Sequence, residues 1–86
     1  MIEIYTKPTC PYCINAKTLL AKKNLEFTEY NINDKSRLRK EMITRSSGGT
    51  TVPQIFIHNQ HIGGCDELYA LEHTNKLNSL YLEDRA

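Results

Sequence analysis

The chain has 86 residues, enough for one small domain (1–86) with a limited core; 40% are hydrophobic and 24% charged, a balance that argues against disorder. Eleven basic and ten acidic side chains leave a net charge of +1, so no global field draws the protein to nucleic acid or to an anionic membrane. No apolar run approaches the ~18 residues of a membrane span, and Met1-Ile2-Glu3-Ile4-Tyr5 shows neither the basic nor the long apolar segment of a signal peptide.

Residues 2–6, Ile-Glu-Ile-Tyr-Thr, alternate and favour β-branched and aromatic types, which predicts a strand. Lys7-Pro8-Thr9 break it. From Pro11 to about Lys23 the pattern turns helical, with Cys13, Ala16, Leu19 and Leu20 on one face. Pro11 suits the first helical position, Lys22 and Lys23 suit the last turn, and Asn24 is the stop. Residues 26–32 read as a second strand. Asn33-Asp34 offers an N-cap for a helix to about Arg45, with Leu38, Met42 and Ile43 as its apolar stripe. Ser46-Ser47-Gly48-Gly49 ends that helix. Gln54-Ile55-Phe56-Ile57 is a short apolar strand, His58-Asn59-Gln60 a hairpin turn, and His61-Ile62 a brief returning strand. Gly63-Gly64 breaks the chain, and Leu68, Leu71, Leu77 and Leu80 mark one or two closing helices. The order β-α-β-α-β-β-α predicts an α/β protein with a four-stranded mixed sheet and helices on both faces.

Cys10, Cys13 and Cys65 are the cysteines, an odd count that argues against a secreted disulfide scaffold and for a reducing compartment, the cytoplasm. Cys10 falls one residue before the predicted helix, at the N-cap. The next backbone N–H groups, at Tyr12 and Cys13, lack intrahelical partners and point back at its sulfur. The helix dipole and nearby Lys7 add positive potential. These effects favour a thiolate, so Cys10 is the expected nucleophile and Cys13, turned inward, the resolving thiol. A Cys-x-x-Cys pair can also be half of a zinc site. Closing a tetrahedral site needs four ligands, and Cys65, His58, His61 and His73 offer no second tight pair. A structural disulfide across so small a loop would constrain little of the unfolded chain.

Lys7-Pro8-Thr9-Cys10-Pro11-Tyr12-Cys13, Thr51-Val52-Pro53 and Gly63-Gly64-Cys65-Asp66 together resemble the three signatures of the glutaredoxins, over nearly the whole chain and most nearly those of the small bacterial dithiol members. The resemblance implies a thioredoxin-like fold. It implies glutathione-dependent reduction of protein disulfides and glutathione mixed disulfides through the Cys10/Cys13 pair. Glutathione is then the co-substrate, with no tightly bound cofactor and no metal. Clients would be disulfide-containing or glutathionylated proteins, ribonucleotide reductase being typical of the family, and the protein would act as a monomer.

The same resemblance implies the glutathione contacts. Thr51-Val52-Pro53 carries a cis proline, and Val52 offers its backbone N–H and C=O to the cysteine of glutathione as a short added strand. Gly64, Cys65 and Asp66 open a helix whose free N–H groups suit the γ-glutamyl carboxylate; the Asp66 side chain caps that helix or meets the ammonium. Tyr12 lines the groove. Lys7 meets the glycine carboxylate, helped by Arg39 on the second helix, with Arg37 and Lys40 as rivals. The Cys65 thiol packs as a small apolar group. One departure is the stretch Ser46-Ser47-Gly48-Gly49-Thr50, longer and more glycine-rich than the usual linker and without the basic residue often found there. An alternative within the family is an iron–sulfur carrier in which Cys10 of two copies and two glutathiones hold a cluster. Pro11 and Tyr12 between the cysteines argue against it.

Overall fold

The computed structural model describes residues 1–82. The elements are β1 (Ile2–Thr6), α1 (Pro11–Lys22), β2 (Thr28–Asn31), α2 (Ser36–Arg45), β3 (Gln54–Ile57), β4 (Gln60–Gly63), α3 (Cys65–His73) and α4 (Leu77–Leu82). The sheet runs β2-β1-β3-β4; β1 and β2 are parallel, and β3 is antiparallel to both β1 and β4. The predicted mixed sheet is therefore present, and the closing helical segment is two helices.

β1 is buried along its whole length because both faces of the sheet are covered. Ile2 and Ile4 point to one face, where they join Ala16, Leu19 and Leu20 of α1, Ile55 and Ile57 of β3, Leu68 of α3 and Leu77 of α4. Tyr5 points to the other, with Ile32, Met42 of α2 and Phe56. Glu3 shares that second face. It is tolerated there because Arg45 meets its carboxylate at 2.8 Å and Tyr30 donates to it at 3.0 Å. Arg45 also donates to the Tyr5 hydroxyl at 2.8 Å and lies 4.2 Å from the Phe56 ring centroid.

The local backbone explains where α1 stops. Asn24 takes φ 58°, its N–H donates to Ala21 at 3.0 Å, and the Leu25 N–H donates to Leu20 at 3.0 Å. This is a Schellman closure with asparagine in the left-handed position. Ser47 (φ 58°) closes α2 and Asn75 (φ 59°) closes α3 in the same way.

Three expectations change. The second strand is Thr28–Asn31, not residues 26–32, because it pairs only with the length of β1 that reaches it. The N-cap of α2 is Lys35 without a side-chain bond, not Asn33 or Asp34. Asp34 is left-handed, and the Asn33 N–H is taken by the Asn31 side chain at 2.8 Å, so these residues build a turn before the helix. Gln60 belongs to β4; His58 and Asn59, both at positive φ, form the two-residue turn. Among the described residues no helix is long and apolar enough to cross a membrane.

Candidate active site

The end of β1 delivers Lys7-Pro8-Thr9 and then Cys10, whose φ of −113° and ψ of 106° are those of an N-cap. The Cys10 sulfur accepts the backbone N–H of Cys13 at 3.1 Å, and Pro11 occupies the first helical turn where it forfeits no bond. On its other side the Cys10 thiol donates to the Val52 carbonyl at 3.7 Å. Cys10 is half-buried and Cys13 is 1% exposed. Burial, and then the hydrogen bond with Cys10, push the Cys13 thiol up to about 12. The two thiols therefore differ in access, although they stand three residues apart.

A groove of about 330 Å³ opens at Val52, whose carbonyl meets the Cys10 thiol. Tyr12 of α1 forms one wall, Thr51, Val52 and Pro53 a second, and the start of α3 a third. The Val52–Pro53 bond is cis, as the sequence resemblance implies. Gly64 comes close to this loop: a Cβ there would lie 3.4 Å from the Pro53 carbonyl oxygen. Of the sequence-predicted contacts, Tyr12, Thr51, Val52, Pro53, Gly64, Cys65 and Asp66 all line this single groove. Lys7 and Arg39 do not line it; both are exposed, Lys7 in the β1–α1 loop and Arg39 on α2. Arg37 and Lys40 are likewise exposed on α2.

Asp66 is not the cap of α3. Gly64 is the N-cap, and its N–H donates to the Glu67 carboxylate at 2.6 Å. Asp66 and Glu67 both stand in the first turn, where the helix dipole favours negative charge. Glu67 also lines the groove, a residue the sequence reading missed. Its signal was the spacing: a glutamate three residues after a cap residue closes a capping box.

Cys65 is buried among the core residues of α1, β1 and β3. Burial, followed by the charge of Asp66, raises its thiol above the ordinary range. The histidines serve local roles or face solvent: His58 Nε2 meets the Tyr81 carbonyl, His61 Nε2 meets Gln54 Oε1 at 2.7 Å, and His73 is exposed at the end of α3. Among the described residues no cluster of three or more His, Cys, Asp or Glu side chains could hold a metal ion. A larger depression of about 760 Å³, between Met1, Phe27 and Tyr81, contains no cysteine and lacks the chemistry of the smaller groove.

The chain is similar to known proteins in sequence and in fold. The glutaredoxin family model matches residues 2–62. Glutaredoxin 3 of Escherichia coli (strain K12) is 58% identical over 79 residues, covering 92% of this chain and 94% of that protein. A Pseudomonas aeruginosa glutaredoxin is 51% identical over 79 residues, covering 92% and 93%. The solution structure of glutaredoxin from Brucella melitensis, 55% identical, superposes with a TM-score of 0.81 over 93% of this chain and 86% of that one. The buckwheat glutaredoxin–glutathione complex, 25% identical, superposes at 0.86 over 95% and 76%. The fold is thioredoxin-like. With the family match reaching from β1 into β4 and including both cysteines of the turn, the chain belongs to the glutaredoxin family of glutathione-dependent disulfide oxidoreductases.

Proposed function

We propose that this protein reduces protein disulfides and glutathione mixed disulfides with glutathione as electron donor, using Cys10 as nucleophile and Cys13 as resolving thiol. The observation that carries this reading is the inequality of the pair: Cys10 is a half-buried N-cap whose thiol meets the Val52 carbonyl, while Cys13 is buried behind it. The Cys13 N–H and the positive end of α1 stabilise negative charge on the Cys10 sulfur whenever exchange places it there. For a mixed disulfide, the Cys10 sulfur attacks the glutathione sulfur and the substrate thiolate leaves. A second glutathione then attacks glutathionylated Cys10, releasing oxidised glutathione and restoring the thiol. For a protein disulfide, Cys13 displaces the client from Cys10, and glutathione reduces the resulting Cys10–Cys13 bond.

Glutathione occupies the groove in this account. The Val52 N–H and C=O pair with its cysteine residue, Tyr12 covers the mixed disulfide, and Thr51 and Pro53 shape the wall. The start of α3, Gly64 to Asp66, holds the γ-glutamyl end, with the backbone of Cys65 contributing. Two carboxylates, Asp66 and Glu67, stand where an ammonium would be attracted. Lys7 and Arg39, exposed and outside the groove lining, are assigned to the glycine carboxylate as mobile cations. The likeness to the buckwheat glutaredoxin–glutathione complex supports glutathione as the co-substrate. Clients are disulfide-bearing or glutathionylated proteins, a class that includes ribonucleotide reductase. One copy carries both thiols and the whole groove, which supports a monomer, and the cytoplasm suits an enzyme that needs free thiols.

Glutathione-dependent reduction of a small mixed disulfide, compared between the parent and Cys10→Ser, tests the reading. Loss of activity in the variant is expected; retained activity overturns it. A brown dimer from anaerobic purification would instead favour the iron–sulfur carrier.

A further inference from the structure

One turn along α1 from Cys13 begins a cluster that thiol exchange as described does not use. Lys17 follows Cys13 by one helical turn, so their Cβ atoms share a face of α1. Lys17 Nζ donates to Glu29 Oε2 at 2.9 Å. The same oxygen accepts from Thr6 Oγ1 at 2.6 Å. Thr6 is buried at the end of β1, one residue before Lys7, and Glu29 stands on β2 beside Ile4. A flexible ammonium is thus fixed at its base by the helix and at its tip by two strands.

We propose that Lys17, tethered through Glu29 to Thr6, is the positioning residue that readies Cys13 to resolve a mixed disulfide on Cys10. The inference rests on the assignment of Cys13 as resolving thiol. In that step Cys13 gives up its proton and its sulfur attacks the Cys10 sulfur. The Cys10–Cys13 bond forms as the bond between Cys10 and the client sulfur breaks. The client sulfur leaves with the electron pair and takes up the proton. The enzyme dithiol is oxidised, the client disulfide is reduced, and no other reagent is consumed.

The obstacle is the proton, because burial and Cys10 hold it on Cys13. Two groups oppose them: the Lys7 backbone and the Lys17 charge. The groups facing Cys13 are thus Cys10 at the N-cap, the Lys7 backbone from the loop and Lys17 from α1, with Glu29 of β2 turned toward Thr6 and Lys17. Thr6 and Lys17 hold the Glu29 carboxyl below the usual carboxylate range, so it stays ionised and keeps the ammonium in place. The tether matters because the Lys17 side chain is 32% exposed, and a free lysine there would swing into water.

The test compares the parent with Lys17→Gln, Lys17→Arg and Cys13→Ser. Reduced protein is mixed rapidly with a small peptide disulfide, quenched in acid, and scored for the Cys10–Cys13 bond by mass spectrometry across the neutral and alkaline range. Lys17→Gln should form the bond about two- to fivefold more slowly at neutral pH, with its pH profile displaced upward. Lys17→Arg should restore the rate. Turnover of glutathione mixed disulfides, which does not use Cys13, should be unchanged in both. Wild-type resolution in Lys17→Gln, failure of arginine to rescue, or an equal slowing of both routes overturns the proposal. If Cys13→Ser still reduces protein disulfides, the assignment of the resolving thiol itself is wrong and the proposal falls with it.

Discussion

The backbone N–H of Cys13 donates to the Cys10 sulfur at 3.1 Å, while the Cys13 side chain lies 1% exposed behind it. Cys13 thus supports the sulfur in front with its main chain and keeps its own thiol out of solvent. A reagent from solution meets Cys10 first.

Alkylation should follow that order. Iodoacetamide at neutral pH is expected to label Cys10 in the native reduced protein and to spare Cys13 and Cys65, both buried. Burial holds the Cys13 thiol up at about 12, so it stays protonated at neutrality. Unfolding in urea should make all three reactive. Peptide mapping by mass spectrometry reads the sites.

Alkaline stability carries the sign of the same burial. Cys13 ionises at about 12 in the fold against 9.0 for an ordinary thiol, and Tyr5 at about 12 against 10.0. Between those values the folded state holds more protons than the unfolded chain, so stability falls as pH rises. Urea unfolding of the reduced protein should show this decline above pH ~9, and Cys13→Ser should flatten it.

Glu3 and Arg45 predict the opposite limb. The Arg45 hydrogen bond holds the Glu3 carboxyl below the usual carboxylate range. Its contribution is complete above that range and is lost as pH falls through the lowered folded value. Arg45→Ala leaves Glu3 on the Tyr5 face without its cation and should cost about 3 kcal/mol in urea unfolding at neutral pH. Glu3→Gln should show a shallower acid dependence than the parent.

Gly63 and Gly64 should respond unequally to alanine. Gly63 has φ +124°, and a Cβ there would lie 2.8 Å from Cγ and Oε1 of Glu67. Gly63→Ala should cost about 1–3 kcal/mol and push Glu67 off the Gly64 N–H. Gly64 has negative φ, and its Cβ would meet Glu67 and Pro53 at 3.4 Å, so Gly64→Ala should be milder in thermal melting. The KM for glutathione should rise in the first variant.

The residues that positioned the chemistry were the legible ones. Cys10 and Pro11 announce a helix start, and helix starts are written locally, in cap and first-turn residue types. The core stripe of α1 followed from its period. What escaped depends on contacts between distant segments. Thr6, Lys17 and Glu29 meet only because β2 pairs with β1 in one register. The same capping preferences misled at Asn33-Asp34, because Asn31 takes the Asn33 N–H and Asp34 turns left-handed. At α3 aspartate looked like the cap, but Glu67 closes it from three residues on. Gathering Tyr12, Val52 and Asp66 into one groove needed the family resemblance, since they come from three separate segments.

The most direct test of the thiol assignment is to react reduced Cys13→Ser with oxidised glutathione and map the adduct by tandem mass spectrometry. A single stable glutathione on Cys10, removed by further glutathione, is the predicted result. An adduct on Cys65, or no adduct on Cys10, would contradict it.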